Sequence, residues 1–480
     1  MRENRSLRLW LEIAITCVVV AVLGFLPYPL AVRQGFRDAR AAIDAGNSAQ
    51  AVKSLGKVVE LQPWRNDLWQ SLGVNALKAS DPAAAIIALE NARQARTITA
   101  EGLVALGNAY LQTGDPTNAA RAWKAAINVG GPADEAFQKI YLQQRAQGDL
   151  IAAQITLTQW LSRNPNSVDA LYEHGLLLTV LEPDKALPVL LDAAQRDAAL
   201  SNAVETLRKG LNLALTSGDP IMARLQVGRS LGTLGEWDLA RVCFEEATQL
   251  DPNFADGWAF LGEARQQSGQ DGAADLQQAA KLAPDSVVVQ ALFSVYYRRQ
   301  GQPERALDYL EKIIEQEPEQ ALWQLEMANT LAESGDLMAA EIHYRKAVEL
   351  EPGSAVYWVE LARYSIVHEA DVRGIGLPAA REALQLAPKD ASVLDLNGQV
   401  MYYLGDMASA ERFLQRALEI DAANAAAHLH LGQVYLQWER LDQAQIHLQT
   451  AERLAPNTTI ALTARRLLDR YFFSATPPAP

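Results

Sequence analysis

Three histidines close together in sequence, His428, His430 and His447, are the nearest this chain comes to a metal-ligating pattern. On a helix, residues two apart point about 200° from each other, so His428 and His430 cannot chelate one ion from a single face. They read as exposed or packing side chains. The adjacent acids Glu245 and Glu246 lie among other charges on a helical stretch, which suits a solvated face better than a general acid–base pair. No glycine-rich loop ends in Gly-Lys-Ser/Thr, and neither Cys-x-x-Cys nor His-Glu-x-x-His occurs. Phosphate-cradling, dithiol and zinc-hydrolase chemistry therefore lack their residues. No nucleophile stands beside an evident base and orienting group. No catalytic residue, metal site or cofactor is expected, and an enzyme is the least favoured class.

Small residues, by contrast, recur every 34 positions. With repeats starting at 32, 66, 100, 134 and 168, position twenty reads Ala51, Ala85, Ala119, Ala153 and, off pattern, Leu187. Starts at 221, 255, 287, 321, 355, 391 and 425 continue with Ala240, Ala274, Ala306, Ala340, Gly376, Ala410 and Ala444. Position eight is small in nearly every copy, among them Gly73, Gly107, Gly175, Gly228, Ser294, Ala328, Gly398 and Gly432, with Tyr141 the exception. A fixed period of this length predicts stacked helix–turn–helix units, each too small to bury its apolar face alone.

Each copy holds two amphipathic segments of about 12–14 residues around a turn. The turns read Gly114-Asp115-Pro116, Gly148-Asp149, Gly301-Gln302-Pro303, Gly335-Asp336 and Gly405-Asp406. Glycine ends the first helix in the left-handed conformation, and aspartate caps the second. Many second helices stop before a proline, as at Pro165, Pro252, Pro318, Pro352 and Pro456. Trp69, Trp258, Trp358, Phe244 and Tyr344 are expected to fill the gaps that the small residues leave.

On these residues the array, over roughly 32–473, resembles the tetratricopeptide repeat family. The match is plainest over 287–320 (Phe293, Ser294, Tyr297, Ala306, Leu310, Pro318) and 321–354 (Met327, Ala328, Leu331, Ala340, Tyr344, Ala347, Pro352). The resemblance implies an all-α, right-handed superhelical solenoid of about twelve repeats, whose first helices line a concave face that binds protein segments. It places Asp67, Gln70, Glu101, Asn108, Glu135 and Asp169 on that face in the earlier repeats. In the later ones it places Arg298, Arg299, Asn329, Arg363, Gln399, Tyr402 and Tyr403 there, the candidate binding residues. Chaperone-tail receptors of this family hold a terminal carboxylate with a lysine and asparagine set that is not complete here. The arginine and tyrosine cluster suits an acidic or C-terminal peptide through charge-assisted bonds.

The lattice breaks in a few places. Pro183 and Pro188 fall at or inside the second helix of the fifth repeat, where a proline is costly. The register jumps between 197 and 221, leaving an unpaired helical segment over 199–216, read as a bend or hinge. An insertion at Ala370–Leu377 carries Gly374 and Gly376 and predicts a longer loop. Thr459–Phe473 has no partner helix and is expected to cap the open end. The chain thus divides into an anchor over 1–32, a repeat block over 33–197 and an irregular segment over 198–220. A second block over 221–456, the cap over 457–473 and a disordered tail over 474–480 follow.

No charge occurs from Ile13 to Val32, a run that as helix would extend ~30 Å, enough to span a bilayer. Trp10 and Tyr28 flank it at interfacial positions, and Pro27 and Pro29 are expected to break the helix as it leaves. Residues 9–32 therefore read as an uncleaved single-span anchor. Arg2, Arg5 and Arg8 favour a cytoplasmic N-terminus, with the repeats outside the cytoplasm. The formal net charge is −14, which disfavours nucleic acid as a partner. The two cysteines, Cys17 and Cys243, cannot staple such an array. Together these features predict a membrane-anchored scaffold that binds protein or peptide partners, in cell-envelope assembly or secretion. An accessory role in glycan synthesis or export, with Tyr402, Tyr403 and Trp438 as sugar platforms, is the alternative.

Overall fold

The computed structural model describes residues 27–130 and 133–473, and every regular element among them is a helix. The helices follow one another as antiparallel hairpins at the predicted period. They form two compact units, Met1–Asp251 with Gln267–Gln270, and Pro252–Gln266 with Asp271–Pro480.

The hairpin is built on the two small positions. At position twenty, Ala51, Ala85, Ala119, Ala153, Ala240, Ala306, Ala340, Ala410 and Ala444 are all completely buried. At position eight the reason for glycine is a single large side chain from the paired helix, sixteen residues on. A Cβ on Gly107 would sit 2.3 Å from Trp123 Nε1, and one on Gly228 would lie 2.5 Å from Phe244 Cε1. The same holds for Gly73 against Leu89, Gly398 against Leu414 and Gly432 against Leu448. Interiors are close-packed, so the large residue fits only because its opposite number has no side chain. Tyr141, the exception at position eight, is fully buried with its ring beneath the Arg145 guanidinium.

The turns follow from local chemistry. Gly114, Gly148, Gly235, Gly301, Gly335 and Gly405 all take positive φ. Asp115, Asp149, Asp336 and Asp406 each accept the backbone N–H three residues on, capping the second helix.

Several irregularities resolve differently from the expectation. Ala274 is exposed, because the shortened second helix Ala273–Leu282 shifts the register and turns Leu276 and Ala279 inward. Leu187 is half-buried while its neighbour Ala186 takes the interface. The helix Pro183–Arg196 starts on one proline and runs through Pro188, which lies on its exposed side. The insertion after Val367 is not an open loop. Val372–Gly376 winds into a π-helical turn leading into Leu377–Leu386, with Ile375 and Gly376 buried and Asp371 capping Gly374. Ser201–Ser217 is helical and packs along Pro220–Thr233, where Gly210 lets the two backbones approach at Ser230 and Gln226. The 198–220 segment lies within the first unit.

At the N-terminal side, the helix Pro27–Asp44 forms the first hairpin with Ser48–Leu61. Pro27 and Pro29 fall in its first turn, and Val32 packs on Val58, Val59 and Leu68. No helix among the described residues is long and apolar enough to cross a membrane. The remainder of the uncharged run, and the tail 474–480, lie outside the described residues. At the other end, Thr459–Leu468 lays Ala464 and Leu468 over Leu429, Leu448 and Ala451 of the last hairpin.

Candidate partner-binding site

In the second unit, the first helices Val287–Arg299, Ala321–Ser334 and Ala355–Val367 stand in succession, positioned by the glycine turns and alanine interfaces described above. Between them opens a cavity of about 400 Å3. Three of the seven predicted residues, Arg298, Asn329 and Arg363, line it together with Glu333, Tyr344, Glu360, Tyr364 and His368.

Asn329 is set by its neighbour on the paired helix. The Tyr344 hydroxyl donates to Asn329 Oδ1 at 2.6 Å. That bond fixes the flip of the amide and leaves its NH2 as a donor without a partner among the described residues. Burial raises the Tyr344 phenol to about 12, so it stays protonated and keeps donating. The repeat starting at 100 contains the same device. There Trp123 Nε1 donates to Asn108 Oδ1 at 3.2 Å, but Asn108 Nδ2 is consumed by Glu135 Oε1 of the next repeat at 3.0 Å. In the repeat after Asn329, the residue equivalent to Glu135 is Val356, which is exposed and cannot accept.

The arginines are less free than the sequence suggests. Arg298 Nη1 donates to Glu326 Oε2 at 2.8 Å, and its Nε and Nη2 donate to Glu333. These bonds outweigh its desolvation and raise its pKa. Arg299 makes a bidentate pair with the buried Glu263, both contacts at 2.7 Å, outside the main cavity and beside a smaller one of about 310 Å3. Arg363 is the most exposed of the three and meets Glu360 Oε1 at 2.7 Å. Glu263, Glu326, Glu333 and Glu360 escaped the sequence reading. The signal was present in part: Arg298 precedes its two acids by 28 and 35 residues, close to one repeat length.

Gln399, Tyr402 and Tyr403 belong to the helix Ala391–Tyr403 and do not line this cavity. Gln399 Nε2 donates to Asp395 Oδ2 at 2.9 Å, while His430 Nδ1 lies 2.7 Å from the other oxygen of that carboxylate. Tyr402 packs into the cluster around Leu394, Leu414 and Leu431; Tyr403 meets it edge-on with ring centroids 5.9 Å apart and is itself half exposed. The Arg440 guanidinium covers Trp438 at 4.4 Å from the ring centroid, occupying the face a sugar would need. His428 turns instead to His447, with their Nδ1 atoms 2.8 Å apart.

Models of the family described as "Tetratricopeptide repeat" match residues 36–98, 293–355 and 401–468. A comparison with curated proteins returns no match. Among solved structures, the chain is similar to yeast Tom70 at 15% identity, covering 93% of this chain and 96% of that one with a TM-score of 0.43. It is similar to the Cut9–Hcn1 heterotetramer of APC/C at 14% identity, with 90% and 95% covered and a TM-score of 0.42. YrrB, titled a TPR protein with an unusual peptide-binding site, is 19% identical over 40% of this chain and 97% of its own, with a TM-score of 0.31. The matched segments and the repeated hairpins agree: this chain is a tetratricopeptide-repeat protein.

Proposed function

We propose that this protein is a non-catalytic, membrane-anchored scaffold of cell-envelope assembly or secretion, and that it captures an extended partner segment in the cavity around Asn329. The repeat architecture supports a protein–protein interaction role. The anchor rests on the uncharged run from Ile13 to Val32, and the placement of the repeats outside the cytoplasm on the arginines that precede it.

The observation that carries the binding proposal is the Asn329 amide, oriented by Tyr344 and left with its NH2 unclaimed. Such a donor suits a peptide carbonyl. The lining pairs two guanidinium groups with two carboxylates, Arg298 and Arg363 against Glu333 and Glu360, and adds the phenols Tyr344 and Tyr364. This balance favours main-chain recognition, which offers both donors and acceptors, over a strongly acidic or basic ligand. A terminal carboxylate would have to displace Glu333 or Glu360 from arginines they already neutralise.

A photoreactive residue in place of the exposed Val356 tests this in native membranes. It should trap a protein adduct, and Asn329→Ala should weaken the capture about five-fold, the worth of one hydrogen bond near 1 kcal/mol. Asn108→Ala, whose amide is already spent, should leave capture unchanged. An Asn329→Ala adduct as strong as wild type would end the proposal. Protease access to the repeats in sealed vesicles of known orientation tests the sidedness separately.

A further inference from the structure

In a regular array each repeat touches its neighbours only. The first unit departs from this. The helix Trp237–Leu250 reaches back to pack on Asp134–Ala146 and Val168–Leu181, first helices of repeats that began some 70 to 100 residues earlier. The contact is centred on Arg145. Its Nε donates to Asp238 Oδ2 at 2.6 Å and its Nη2 to Asp238 Oδ1 at 3.0 Å and Glu236 Oε2 at 2.6 Å. Its Nη1 donates to Glu173 Oε2 at 3.2 Å and to the Tyr141 hydroxyl at 3.4 Å. Five contacts engage every nitrogen of the guanidinium. The Arg145 side chain is only 10% exposed, and burial pushes the Glu173 carboxyl up even beside it. A second tie lies nearby: Arg224 Nη1 donates to the Val180 carbonyl at 2.7 Å while its Nε pairs with Glu246 at 2.8 Å.

The second unit shows what this arrangement covers. Arg145 and Glu173 are 28 residues apart, as are Arg298 and Glu326, and each arginine holds the same place in its repeat. Around Arg298 that face is open and forms the cavity. Around Arg145 the corresponding face carries Glu236 and Asp238 from a later hairpin.

We infer that the Arg145 cluster is a clasp: it holds the start of the helix Trp237–Leu250 over the first helices of the repeats at 134 and 168, closing a face equivalent to the open cavity. Glu236 and Asp238 take the Nε and Nη2 donors that Glu333 takes on Arg298, and bring the helix they begin over the face. The clasp is polar and joins segments distant in sequence, so it can part without unwinding either hairpin, whose own interfaces are the fully buried Ala153, Leu157, Ala240 and Phe244. The unit thereby has a closed state and an accessible open one.

Hydrogen exchange on the full-length protein tests this with Arg145→Met, which keeps the bulk and removes the charge. Exchange should rise at least tenfold in peptides covering 168–181 and 237–250, while 48–61 and 100–129 keep wild-type protection. Arg145→Lys, retaining the charge without the fork, should fall between the two. Unchanged exchange at 237–250 would overturn the inference. So would a uniform rise through the whole first unit, which would make Arg145 a requirement for folding and not a clasp. Wild-type protein in rising salt gives an arm free of any substitution: protection at 237–250 should fall before that at 100–129, and a simultaneous fall counts against the clasp.

Discussion

Gly107 and Trp123 show how one residue type dictates another across a hairpin. Gly107→Ala puts a methyl group where the indole nitrogen lies, 2.3 Å away. Overpacking of this kind costs about 1–3 kcal/mol, and the denaturation midpoint should fall accordingly; a midpoint equal to wild type would mean the indole moves aside freely. The indole also holds Asn108, so the glycine indirectly positions a polar group on the face of the first helix. His447 gives a pH dependence. Burial, with His428 beside it, lowers its pKa from 6.5 to about 4. The unfolded chain therefore binds a proton that the folded one refuses between those values. The contribution of this site is complete above about pH 6.5 and is lost as pH falls towards 4. Denaturation midpoints at pH 7.5 and 5 should differ in wild type and differ less in His447→Gln. An equal drop in both proteins would assign the effect elsewhere.

The turn between paired helices is the element on which the array depends. Most repeats place glycine at the left-handed position, but Ser80, Glu369 and Glu439 occupy it with φ of 61°, 52° and 56°. A side chain there costs roughly 1–2 kcal/mol relative to glycine. Glu439→Gly should therefore raise stability by about 1 kcal/mol, since Glu439 is exposed and the turn already has the geometry glycine prefers. Asp336→Ala should act oppositely, losing about 1 kcal/mol with the cap on Ala339. Urea titration of both variants checks the pair. A stabilising Asp336→Ala would show that the second helix does not rely on its cap.

Across the whole molecule, stability is distributed repeat by repeat, so an end must be covered. Thr459–Leu468 does this for the last hairpin through Ala464 and Leu468. Removing residues 457–480 should leave Leu429, Leu448 and Ala451 facing water, and exchange should rise first in 425–454. Equal protection with and without the helix would mean the hairpin is self-sufficient. Division of labour between the units also belongs to this scale. The first encloses Arg145 among carboxylates of its own chain, whereas the second leaves the Asn329 face open.

The period, the helical hairpins and the glycine turns were legible in the sequence, because each arises within one repeat or between neighbours; the small-to-large packing was legible only in part, since Phe244 fills its gap while Trp69, Trp258 and Trp358 lie half-buried away from the small positions. Local spacing encodes them directly: the glycine and the large residue it admits are sixteen apart at Gly73 and Leu89, Gly107 and Trp123, Gly228 and Phe244, Gly398 and Leu414, and Gly432 and Leu448. Placing Arg298, Asn329 and Arg363 on one face was within reach through the family resemblance, which assigns those positions of each first helix to it. What surrounds those residues was not. Whether an arginine is free depends on which carboxylate the next helix presents, as Glu333 and Glu263 show. Arg145 meets Asp238 across 93 residues, an encounter between hairpins that are not neighbours in the chain, which no single interval in the sequence records. Charge pairing falls off within a few ångströms, so small changes in helix placement decide it, and only the tertiary structure fixes that placement.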